Sequence, residues 1–146
     1  MIVGTVTGYA DVFTRIKYFL ERNSDSKMSE AALEGAKYAE QMCVREMVNT
    51  PEYIQWPHSR RPSGPPGGYP AIQNADLISS FETKVIGPGQ AAWDAGGSEE
   101  SAQAFFQEFG TVNAAPRPFA RSTIGKYGDE IKQVMANRVR GIKWQR

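Results

Sequence analysis

Cys43 and His58 could in principle form a thiolate–imidazole pair, the arrangement that makes a cysteine nucleophilic. Such a pair needs an exposed thiol beside the ring. Cys43 falls on the apolar side of a predicted helix and His58 in a proline-rich stretch, so the residues read as a core cysteine and a surface histidine. One Cys and one His also give neither an internal disulfide nor a soft-ligand cluster for zinc, iron or copper. The run Gly64-Pro65-Pro66-Gly67-Gly68 lacks the lysine and following Ser or Thr of a phosphate loop, and its prolines remove backbone donors. The aromatics are not interleaved with cations as on a single-strand binding platform. The expectation is therefore no catalytic residue, no cofactor, no metal site and no enzyme activity.

Charge is the remaining chemical signal. Residues 116–146 hold Arg117, Arg121, Lys126, Lys132, Arg138, Arg140, Lys143 and Arg146 against Asp129 and Glu130. That is a net +6 for this stretch, and the total of +1 leaves −5 for the rest. Such asymmetry suits a nucleic-acid surface, contact between the basic end of one subunit and the acidic part of another, or simply a solvated helix face.

The elements that would position these residues can be read in order. Residues 1–8 alternate weakly (Ile2, Val3, Val6) and suit a short strand or extended lead-in. Val12, Phe13, Ile16, Phe19 and Leu20 recur at helical steps over residues 9–22. The polar cluster 23–26 is expected to end that helix, with Ser24 or Ser26 capping a second one over residues 28–48. Ala32, Ala36, Ala39, Cys43 and Met47 line one side of the second helix, inviting close approach by another element, and Pro51 stops it. Residues 50–69 carry five prolines and three glycines and can hold neither helix nor ladder. Tyr53, Trp56 and Tyr69 argue against simple disorder, so an arm becoming ordered on a neighbouring subunit is expected. Residues 77–86 read as a strand, Gly87-Pro88-Gly89 as a turn, and 90–94, centred on Trp93, as its antiparallel partner. Ser98 can cap a helix running to Phe109. A last helix over 118–139 presents Phe119, Ile124, Tyr127, Ile131, Val134 and Met135 as its core face.

These readings predict an α+β fold: amino-terminal helices and a carboxy-terminal helix packed on a small antiparallel sheet, with an arm at about 50–76. At 146 residues a single domain with one core is expected. Composition is that of a globular protein, at 40% hydrophobic and 23% charged, with no run long enough to span a membrane. No secretory signal is seen, so synthesis in a cytoplasm is expected.

The stretch 105–121, FFQEFGTVNAAPRPFAR, combines three instructions. Phe105, Phe106 and Phe109 are apolar anchors at helical spacing, Gly110 reverses the chain, and Pro116 and Pro118 prepare the next helix. Phe109 and Phe119 would fill the core, and Glu108 would cap or pair with Arg121. This stretch resembles the tail-completion or neck proteins of long-tailed bacteriophages, a group that includes lambda minor tail protein Z-like tail components. Glu108, Phe109, Gly110, Thr111, Pro118, Phe119 and Arg121 carry the resemblance to its Glu-Phe-Gly-Thr, proline-containing loop and Pro-Phe-hydrophobic-Arg pattern. The opening VTGYADVFTRIKYFL, the Ala-rich helix ending at Thr50-Pro51 and the segment GGYPAIQNADLISSF are similar more loosely. In the last of these, Asn74-Ala75-Asp76-Leu77 replaces the group's Thr-Gly-x-Leu.

The resemblance implies a non-enzymatic virion protein of the head–tail junction, made in the host cytoplasm. It implies a homo-oligomeric ring, of roughly six or twelve copies, that meets terminator, stopper, adaptor or tail-tube proteins. Subunit or partner contacts are expected at Tyr53, Trp56, Arg60, Arg61, Tyr69, Arg138, Arg140 and Lys143. A tail-terminator ring is the nearer alternative, and a nucleic-acid-binding protein using the basic carboxy-terminal helix is the alternative of another class.

Overall fold

A computed structural model describes residues 9–51, 64–72, 76–95 and 100–141, with side chains placed from Asp25 in the first of these segments and from Gln103 in the last. The fold is α+β. Helix α1 (Tyr9–Asn49) is followed by the single turn α2 (Asp76–Ser79), the hairpin strands β1 (Phe81–Gly87) and β2 (Gln90–Ala95), then α3 (Glu100–Phe109) and α4 (Ala120–Gly141). The strand expected over 1–8, the apolar face expected at Val12 to Leu20 and the cap at Ser98 lie outside the described residues or side chains.

The amino-terminal helices expected as two are one helix of 41 residues. Asn23, Ser24, Asp25 and Ser26 are weak helix formers, each disfavoured by only a few tenths of a kcal/mol, and no Pro or Gly stands among them. Asp25 and Ser26 are exposed, and the Ser29 hydroxyl donates back to the Asp25 carbonyl at 2.6 Å, so the ladder continues. Asn49, two residues before Pro51, is the last helical residue.

α1 is the platform for the rest. Ala31, Ala32, Ala39, Cys43 and Met47 are buried along it. Gly35 lets α4 come close, since a Cβ there would stand 2.6 Å from Met135 Cγ and 2.9 Å from its Sδ. Pairs at the rim fix the register of the two helices: Tyr38 donates to Glu130 at 2.5 Å and Arg138 bridges to Glu30 at 3.0 Å.

The hairpin pairs Phe81 with Ala95, Thr83 with Trp93 and Val85 with Ala91, and its turn uses Gly89 at φ +65°. The strand expected from Leu77 starts later. Leu77 is buried within α2, where Ser79 and Ser80 hydroxyls bond the carbonyls of Asp76 and Leu77 and favour a turn over extended chain. One face of the hairpin turns inward through Phe81, Thr83 and Trp93, with Thr83 donating to Glu40 of α1. The other carries Lys84 between Glu82 and Asp94 in water.

The core joins Cys43, Met47, Leu77, Ala104 and Phe119, flanked by Tyr69, Ile72, Phe81 and Trp93. Phe81 stacks on Phe119 at 5.9 Å, and Trp93 meets both rings edge-on.

Candidate functional site

The residues singled out at 108–121 form one joint between α3 and α4. Gly110 ends α3 with φ +79°, its N–H donating to the Phe106 carbonyl at 2.9 Å. A Cβ there would lie 2.8 Å from the Ala114 carbonyl oxygen and 2.9 Å from Pro116 N, so the position needs glycine twice over. Thr111 then pairs with Ala114 across a tight turn.

α4 starts at Ala120 after Phe119, whose side chain cannot cap a helix. Glu108 supplies the cap from α3. Its carboxylate accepts from the N–H groups of Ala120 at 2.9 Å and Arg121 at 3.2 Å, and from Arg121 Nε at 2.8 Å. Arg121 Nη2 reaches back to the Glu108 carbonyl at 2.8 Å. Glu108 is buried and Arg121 lies open to water, so the buried carboxylate is held mainly by backbone donors at the positive end of a helix.

Arg117, counted in the sequence with the basic surface, is 3% exposed. Its Nε donates to the Gly64 carbonyl, its Nη1 to the Ala115 carbonyl at 3.1 Å, and its N–H to the Gln107 carbonyl at 2.6 Å. Gly67 N–H donates to the Pro116 carbonyl at 2.9 Å. Tyr69 is half-buried, with its hydroxyl 3.2 Å from Thr123 Oγ1. Residues 64–70 are therefore fastened to the body of their own chain, and Tyr69, expected as a partner contact, also makes a contact within it. Tyr53, Trp56, Arg60, Arg61 and Lys143 lie outside the described residues. Arg138 is drawn to Glu30, and Arg140 is exposed near the end of α4.

The three phenylalanines of α3 are not core anchors. Phe105, Phe106 and Phe109 are 57, 53 and 56% exposed and touch one another, while Ala104 and Glu108 face inward. Side chains step about 100° around a helix, so with Glu108 inward Phe106 and Phe109 fall about 160° and 100° away from it, while Phe105 sits at the margin of the inward face. Arg121 lies 5.2 Å over the Phe109 ring. Ile124, expected in the core, is 55% exposed, and Thr123 takes the buried position beside it.

Beside the joint runs an apolar trough. One hollow of about 880 Å³ has Ala32, Gly35, Ala36 and Ala39 of α1 as its floor and Ile124 and Met135 of α4 as a wall. Another, of about 300 Å³, continues it past Trp93 and Ala120 to Ala104, Phe105 and Phe109.

The cations of α4 are largely spent within the chain. Lys126 bonds Glu46 at 2.9 Å and Lys132 bonds Asp129 at 3.0 Å, in addition to the Arg121 and Arg138 pairs. Tyr127 also donates to Glu46, and Arg45 donates to the Tyr127 hydroxyl at 3.2 Å. The Tyr127 hydrogen bond and then Lys126 hold the Glu46 carboxyl below its usual range. The unfolded chain thus takes up this proton first. The α1–α4 contact should contribute its full share of stability above about pH 4.5 and lose it as pH falls through the lower folded value. A Glu46→Gln variant is expected to show a flatter fall of Tm on acidification than the parent.

Cys43 is fully buried, its Sγ 3.8 Å from Met47 Sδ, and burial pushes the thiol up to about 12. It is expected to resist thiol reagents in native buffer and to react fully once denaturant unfolds the chain.

Among the described residues no group of three His, Cys, Asp or Glu is placed to hold a metal ion, and no helix is long and apolar enough to cross a membrane. The joint offers shape and apolar surface, with its one buried carboxylate occupied by helix donors. Sequence reading missed Arg117 as a tie and Glu46 as a hub, because their partners are backbone carbonyls and distant hydroxyls. No protein-family model, curated protein or solved structure matches this chain.

Proposed function

We propose that the chain is a structural component of the head–tail junction of a long-tailed bacteriophage, assembling with copies of itself and joining tail to head. What supports this reading most is that the residues carrying the resemblance, from Glu108 to Arg121, form one fixed joint that holds three phenylalanines out into solvent. Exposed aromatic clusters on rigid elements are characteristic of protein–protein contact. The apolar trough adjoins the same joint, so both surfaces serve assembly. Nucleic-acid binding is the weaker reading, because Arg117, Arg121, Lys126, Lys132 and Arg138 are engaged within the chain and DNA would have to displace those partners.

The test is a variant with Phe105, Phe106 and Phe109 all changed to Ser. Its unfolding free energy should fall by no more than about 3 kcal/mol, since each ring is already more than half exposed. It should nonetheless fail to support the joining of heads to tails, seen by electron microscopy as separate heads and free tails. Normal virions with this variant, or a parent chain found in no particle, would sink the proposal. Deleting 56–63 probes the expected arm while sparing the ties at Gly64 and Gly67.

A further inference from the structure

Among the described residues the sheet has two strands, and none of them pairs with the side of β2 away from β1. Both the inward residues Ala91, Trp93 and Ala95 and the outward residues Gln90 and Asp94 line the trough, whereas β1 contributes only Ile86 at the tip. A hollow bordered by both faces of one strand lies along that strand's edge. Among the described residues, no backbone group of β2 bonds to backbone outside the hairpin. The sequence of β2, QAAWDA, has neither the Lys nor the Pro that commonly guards a free edge. Beneath it, the trough is floored by the small side chains of Ala32, Ala36 and Ala39, with Met135 of α4 already filling the space at Gly35.

We propose that residues 2–7 of a second copy add to β2 as a third strand in this trough. Their sequence, IVGTVT, is uncharged, free of proline and mostly β-branched, as a strand laid between apolar walls should be. Ile2, Gly4 and Val6 share one face and Val3, Thr5 and Thr7 the other, so small and branched groups meet the floor whichever face turns down.

Reach decides whose segment it is. α1 begins at Tyr9 and rises about 1.5 Å per residue, which puts Ala32 about 35 Å and Ala39 about 45 Å along its axis. Eight extended residues span at most about 29 Å, so residues 1–8 cannot reach the trough over their own helix. The donor is another copy. A contact pairing one end of each copy with the middle of the next is head-to-tail and can close a ring. This supplies the assembly proposed above with its contact between copies, but stands or falls on the purified chain alone.

Sedimentation of the intact chain should show an oligomer, and deletion of 2–7 should give a monomer with unchanged helical circular dichroism. A fluorescent peptide MIVGTVTG should bind the deletion variant saturably, and Ile124→Asp, which sets a charge on the exposed trough wall, should weaken that binding by about tenfold or more. A monomeric intact chain, an oligomer that survives the deletion, or a peptide that does not bind or ignores Ile124→Asp would overturn the proposal. Should the deletion variant not fold, amide exchange in the intact chain decides. β2 should exchange more slowly at concentrations where copies associate than where they separate, and equal rates would overturn it. Strand exchange without any place in a virion would instead defeat the neck reading and leave this one standing.

Discussion

Glu108→Ala is expected to destabilise the chain by about 2 kcal/mol, measured as a shift of the urea midpoint at constant m-value. The loss has two sources. Ala120 and Arg121 N–H groups at the start of α4 would lose their acceptor, worth about 1 kcal/mol by comparison with other helix caps. The remainder is the charge-assisted bond from Arg121, discounted because the guanidinium is largely in water. Glu108→Gln keeps an acceptor oxygen and should recover roughly half. A change below about 0.5 kcal/mol for Glu108→Ala would mean that water caps α4 equally well and that the joint is not held by this residue. Arg121→Ala should cost less than Glu108→Ala, because it leaves the two backbone bonds intact.

Phe119→Ala should be the more damaging change, at about 4 kcal/mol. Phe119 is 3% exposed, closes the core over Cys43 and Met47, and meets both Phe81 and Trp93. Removing the ring leaves a void between α1, the hairpin and the start of α4, and the inward face of β1 and β2 loses its main partner. Near-ultraviolet circular dichroism should lose aromatic signal in the folded variant. Phe119→Leu retains most of the volume and should cost about 1.5 kcal/mol or less. Equal losses for Leu and Ala would show that aromatic contact rather than filled space sets the value.

How much of this was legible beforehand varied with the kind of signal. Glu108 and Arg121 could be paired from the sequence because capping residues have recognisable types and the glycine and prolines between them dictate a reversal. The hairpin was legible for the same reason, through Gly87-Pro88-Gly89. The unbroken α1 was not: weak helix formers without Pro or Gly are outvoted by the packing of the residues that follow. The outward phenylalanines were hidden too, since hydrophobicity assigns them inward, and the place of Glu108 at the cap carries Phe106 and Phe109 away from that face. Arg117 looked like surface charge because its partners, the carbonyls of Gly64 and Ala115, have no side-chain signature.

The ties from Arg117 to Gly64 and from Gly67 to Pro116 have a practical consequence. Pro51 follows directly on α1 and Gly64 is held by Arg117, so both ends of the stretch 52–63 are anchored. Lengthening a flexible span anchored at both ends costs loop-closure entropy of about 0.6 kcal/mol for each doubling. A peptide tag or small guest domain inserted within 56–60 should therefore be accommodated by the host fold, giving a handle for purification or imaging that leaves both chain ends as they are.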